Sequence, residues 1–253
     1  MKIGLSLAIV LAAGSLPCAT LAQEKSASRP GFLLPPASAR IVLMRPTIRV
    51  GEQSTGGLFE PNADWSTQAR EHIGLALRKA QASLGNEVIE YDEPAGGDRG
   101  FATQYGHLFS SLAGSVQEYQ LFTGNRLPTK KRKGQFEWSL GAGVAQLPAL
   151  QNADYALFIW TQDAYGSAGR KLLQAVGFLG AIVGAPMMVS SGVHRGYAGL
   201  IEIKTGDLVW INADHAMGGD VRTPEGAAKR VAQLLDNFPG APNAKSAPAR
   251  VVR

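Results

Sequence analysis

Apolar positions along the chain alternate between strand-like and helix-like blocks. Residues 41–50 (IVLMRPTIRV) are rich in β-branched side chains, and Pro46 removes a ladder donor, which predicts a strand at an edge or bulged at its middle. The Gly-rich stretch 51–57 ends it. From Asp64, a good N-cap, Ala69, Ile73, Leu77, Ala80 and Leu84 recur at helical spacing until Gly85 stops them. Residues 88–91 predict a short strand. A second helix is expected over 102–122, with Leu108, Leu112, Val116 and Tyr119 on one face, and a third over 137–146. The run YALFIW, 155–160, is apolar without alternation, as suits a central strand covered on both faces.

Residues 197–204 and 207–212 predict a β-hairpin around Thr205-Gly206, with Gly206 taking the left-handed position of a bulged turn. The matching register pairs Ile203 with Asp207, Ile201 with Val209 and Leu200 with Trp210. It places Ile201, Ile203, Val209 and Ile211 on one face and Leu200, Leu208 and Trp210 on the other, a cluster that a partner would cover if the chain did not. The final helix has Thr223 as N-cap, Pro224 at its first position and Glu225 beside the positive helix end, and is expected to bury Ala228, Val231, Leu235 and Phe238. Residues 172–189 (LLQAVGFLGAIVGAPMMV) are the most apolar stretch beyond residue 22. A buried helix ending near Gly184 is the simplest reading; membrane contact and a subunit interface are its alternatives.

At the N-terminus, Lys2 precedes an apolar run over 3–16, then Pro17 and Thr20-Leu21-Ala22, the pattern of a secretory signal. Cleavage after Ala22 makes Gln23 the first mature residue. Pro17 stands directly before Cys18 where lipidation requires a small residue, so Cys18 is expected to leave with the signal. A cysteine-free exported domain suits a bacterial periplasm and has to be held by its core alone. Residues 23–39 and 239–253 are rich in Ser, Ala and Pro and are expected to be a disordered linker and a disordered basic tail around one domain, 40–238.

The net charge is +5, and the +4 left after residues 1–22 is too small and dispersed to imply nucleic acid. Five of the cations, Arg126, Lys130, Lys131, Arg132 and Lys133, crowd one loop, where an anionic membrane surface or acidic partner would meet them. His72, His107, His194 and His215 have no metal-binding spacing. Gly141-Ala142-Gly143 lacks the third glycine of a dinucleotide loop, and neither G-x-S-x-G nor a P-loop occurs. No cofactor or catalytic residue is implied. A hydrolase would have to draw on Asp163, His194, Asp214 or His215, with Asp220 nearby.

The lead-in Ala153-Asp154-Tyr155 to a hydrophobic strand, a Gly-rich insert, the hairpin I-E-I-K-T-G-D-L-V-W over 201–210 and a closing helix resemble the TolB N-terminal-like and CsgG-like α/β domains of bacterial envelope proteins. That resemblance implies a periplasmic, non-catalytic binding or assembly component, partnered by itself or by another envelope protein. In CsgG-like channels the segment corresponding to 172–189 supplies the membrane-crossing hairpin. The expected fold is a two- or three-layer α/β domain with a mixed sheet. Leu200, Leu208, Trp210 and the five loop cations form its candidate interaction surface.

Overall fold

The computed structural model describes residues 24–34, 39–91, 99–122, 135–147, 150, 152–182, 184 and 192–241. The signal segment with Cys18, the basic loop 126–133, residues 185–189 and the tail from 242 lie outside the described residues.

The fold is α/β, built on a mixed sheet of eight strands. Its axis is β6 (Tyr155–Gly166), in which YALFIW forms the buried first half. Strands β2 (Arg40–Leu43) and β3 (Thr47–Gln53) lie end to end along one side of β6, both parallel to it. The chain breaks its pairing between them at Pro46, the bulge expected there. Beyond β2 lies β5 (Glu87–Glu90), and beyond β3 lies β4 (Phe59–Pro61). On the other side, β7 (Gly192–Glu202), β8 (Leu208–Asp214) and β1 (Glu24–Ser28) follow in antiparallel order.

Helices cover both faces, so the domain has three layers. One face carries α1 (Ala63–Ser83) through Ala69, Ile73 and Leu77, and α4 (Pro224–Leu234) through Ala227, Val231 and Leu234. The other carries α2 (Arg99–Val116) through Phe109, Ala113 and Val116, together with the irregular segment 135–147 and Leu150. The remaining helix, α3 (Ala168–Ile182), joins β6 to β7.

Several expectations shift by a residue or two. Asn62, not Asp64, caps α1, its side chain accepting from the Trp65 amide, and the helix runs to Ser83, with Leu84 as C-cap and Gly85 at φ 75°. The buried stripe of α2 falls on Phe109 and Ala113, leaving Leu108 and Tyr119 exposed, and its last turn widens into a π-helix over Gln117–Leu121. Thr223 and Pro224 start α4 as expected, but Ala227 is buried in place of Ala228.

Larger differences have backbone causes. No helix spans 137–146: the Trp138 carbonyl accepts from the Leu208 amide and the Leu140 amide donates to Gly206, which ties the segment to the hairpin, and only Ala142–Gln146 winds into a 3-10 helix. Residues 24–34, expected in the disordered linker, are ordered. Glu24–Ser28 pairs with Asp214–Trp210, Arg29 bridges Glu202, Phe32 meets the Tyr155 ring edge-on and Leu34 is buried. A polar strand such as EKSAS needs only the backbone groups of an open sheet edge.

Candidate functional site

The hairpin turn forms as expected, with Gly206 at φ 76°, and Leu200 faces Trp210. Between Leu200 and Ile201 a bulge shifts the register, so Ile201 faces Leu208 instead of Val209. Leu208 therefore joins Ile201 and Ile211 in the α2-side core, while Val209 joins Leu200 and Trp210 on the α4 side. Both sides are covered from within. Leu200, Leu208 and Trp210 are at most 1% exposed, and Trp210 packs edge-on against Phe238 just beyond α4. These three residues are core, which corrects their assignment to an interaction surface: Leu200 and Trp210 are covered from the α1/α4 side and Leu208 from the α2 side. The cations Arg126, Lys130, Lys131, Arg132 and Lys133 lie outside the described residues.

The exposed apolar surface is on α3. Leu172, Val176, Phe178, Leu179 and Ile182 are between 50 and 72% exposed, five of the eleven large apolar side chains that the described residues leave in water. At 100° per residue these five fall within an outward arc of about 160°. The inward side of α3 holds Gly177 and Arg170. Arg170 anchors the helix start by donating from Nη1 to the Ser54 carbonyl, 3.3 Å away. The usual amphipathic arrangement is thus inverted, and the buried helix expected over this stretch is instead the most exposed apolar element described.

A buried polar cluster lies on the α1/α4 face, where the second half of β6 turns polar. Asp163 and Arg230 are both fully buried. Arg230 Nη1 and Nη2 donate to Asp163 Oδ2 and Oδ1 at 2.7 and 2.6 Å. Its remaining donors reach Thr161 Oγ1 at 2.8 Å and the Gly218 and Gly219 carbonyls at 3.2 and 3.3 Å, so all five guanidinium hydrogens are used. His194 Nδ1 sits 2.8 Å from Asp163 Oδ1; a carboxylate only accepts, so the proton there belongs to the imidazole.

Of the residues a hydrolase would draw on, the fold brings Asp163 and His194 together and leaves the others apart. Asp214 accepts from the Ala216 amide, and His215 stacks on Phe122 with Nε2 beside Gln117. Burial, then the nearby Arg195 charge, lowers the His215 pKa. Asp220 is bound by Arg222, whose hydrogen bonds hold its carboxyl at about 2, and accepts from the Tyr165 hydroxyl. Among the described residues His194 Nε2 has no hydrogen-bond partner, and Asp163 is committed to Arg230. The arrangement clamps β6 and β7 to α4.

No family model and no curated protein matches the chain. Among solved structures it is similar, at 12% identity, to the PelC dodecamer of Paraburkholderia phytofirmans, with a TM-score of 0.36 over 84% of this chain and 95% of that one. A point variant of the same dodecamer gives a TM-score of 0.34 at 12% identity over 85% and 96%. Likeness at this level assigns no function.

Proposed function

We propose that this protein is a non-catalytic assembly component of the bacterial envelope that associates with further copies of itself through α3. The exposed apolar stripe of α3 carries the reading. Five large apolar side chains on one helix form a contiguous patch of the kind that marks an interface, and the rest of the exposed apolar residues are dispersed over six other positions. A second copy is the simplest cover, because two such stripes are complementary to each other without any other partner. The envelope part of the reading rests on the signal pattern ending at Ala22, with Gln23 as mature N-terminus, and on the resemblance of the 153–155 and 201–210 motifs to TolB N-terminal-like and CsgG-like domains.

A second reading, seating on a membrane, is favoured by the absence of any charged residue from Leu172 to Val189. The described helix of 15 residues is about 22 Å long, short of a bilayer core of about 30 Å, and no described helix is long and apolar enough to cross a membrane. Such a contact would be interfacial.

Light scattering after size exclusion separates the two. The chain from Gln23 should elute as an oligomer without detergent, and Val176→Glu with Leu179→Glu should convert it to a monomer that keeps the wild-type circular dichroism spectrum and unfolds cooperatively, since both positions are exposed in the single chain. An oligomer that survives both substitutions removes α3 as the interface. A wild-type monomer that floats with phospholipid vesicles, and ceases to do so in the double variant, replaces self-association with membrane seating.

A further inference from the structure

The gap between β2 and β3 has a consequence for ligand binding. Residues 44–46 leave the side of β6 after the Met44 amide has donated to the Leu157 carbonyl, and pairing resumes only at Thr47 against Trp160. The opening is a cavity of about 790 Å³. Both layers line it: Arg70 comes from α1, Gly106, His107 and Ser110 from α2, and Arg45 and Arg49 from the kinked strand edge. Gly106 leaves it open, since a Cβ there would meet nothing within 4 Å.

Among the described residues the lining includes three guanidinium side chains and a histidine but no carboxylate. Among the described residues none of these arginines forms an ion pair; Arg49 rests over the Phe59 ring. Arg70 Nε is buried without an acceptor among the described residues. A buried donor left unpaired is unfavourable, and an incoming acceptor relieves that cost. Guanidinium forks match the oxygens of carboxylate and phosphate groups, and Phe158 and Trp160 supply apolar wall beside them. The volume lies in the range of small-molecule sites and far exceeds one bare oxyanion.

We propose that this cavity binds a small organic anion, its carboxylate or phosphate head on Arg70 and its body between α2 and the strand gap. The site is separate from α3 and does not depend on the assembly reading.

Isothermal titration of the chain from Gln23 tests it with glucose 6-phosphate, citrate, inorganic phosphate and neutral glucose. Glucose 6-phosphate or citrate should bind, and the one that binds more tightly identifies a phosphate or carboxylate head. Arg70→Met, which keeps the stem and removes the charge, should weaken that binding by about tenfold or more. Gly106→Leu should do the same by filling the cavity while favouring the helix. Should Arg70→Met fail to fold, Arg45→Met at the exposed rim provides the charge test. The proposal is overturned if neither organic anion binds, if glucose binds as well as they do, if inorganic phosphate alone binds, or if folded variants keep wild-type affinity.

Discussion

Replacing Arg230 by methionine removes a cation that has no contact with water and five hydrogen bonds at once. What remains is the Asp163 carboxylate, equally buried, with Thr161 and His194 as its only side-chain donors among the described residues. Losing one member of a buried ion pair typically costs about 3–5 kcal/mol, because the other is left as an uncompensated charge. For a domain of this size that is a fall in melting temperature of roughly 6–20 °C. Asp163→Leu strands the guanidinium instead and should cost a similar amount. The double variant Asp163→Leu with Arg230→Met leaves no charge stranded, so its loss should be no greater than that of either single change, and the two effects should be strongly non-additive.

Urea unfolding followed by circular dichroism at pH 7 measures all four proteins. Single losses below about 1 kcal/mol, or a double variant that sums the singles, would refute the clamp. Arg230→Lys sharpens the test. It keeps the charge but cannot reproduce the two-pronged grip on Asp163 or reach both glycine carbonyls, so it should fall between wild type and methionine.

Two further outcomes follow from the packing. Trp210→Ala should cost about 3–5 kcal/mol by thermal or urea unfolding, as for a core aromatic, whereas Trp210→Phe should cost far less because Nε1 has no acceptor among the described residues; a near-silent alanine variant would put Trp210 back at an interface. His215, its pKa depressed below 6.5 by burial and by Arg195, binds its proton later in the folded chain than in the unfolded one. Its contribution is therefore whole above pH 6.5 and is lost as pH falls from there toward the folded value, so melting temperature should drop between pH 7.5 and 5.5 by more in wild type than in His215→Gln, and equal drops would remove His215 as a cause.

What could be read in advance was whatever short-range chemistry decides. YALFIW announces a strand buried on both faces, Thr223-Pro224 an N-terminus, Gly206 a left-handed turn, and Pro46 a break in pairing. What escaped depends on distant backbone. The bulge at Leu200 and Ile201 moves Leu208 to the opposite face, and no side-chain alternation encodes it. Strand β1 is polar and gains its place only because β8 offers an open edge. The Asp163–Arg230 pair joins residues 67 apart in sequence, and Arg230 lies among charged and small residues that read as a solvated face. For α3 the hydrophobicity was plain and the direction of its apolar arc was not, because that direction is fixed at one end by Arg170 on the 54–57 turn.

That anchor also explains why the described fold cannot cover α3 itself. The first half of β6 is apolar on both faces and finds α1, α4, α2 and segment 135–147 waiting on either side. The second half turns polar at Thr161 and Asp163 and is closed by Arg230, so by Gly166 the sheet has little apolar surface left to offer a following helix. Turning the stripe inward would take roughly half a rotation about the helix axis. It would turn Leu172, Val176 and Leu179 toward that polar end, expose the buried Gly177 and pull Arg170 off the Ser54 carbonyl. Each of those changes costs free energy that burial against a polar surface does not return. With the stripe held outward, α3, and not the buried hairpin, is where the proposed contact with a second copy would form.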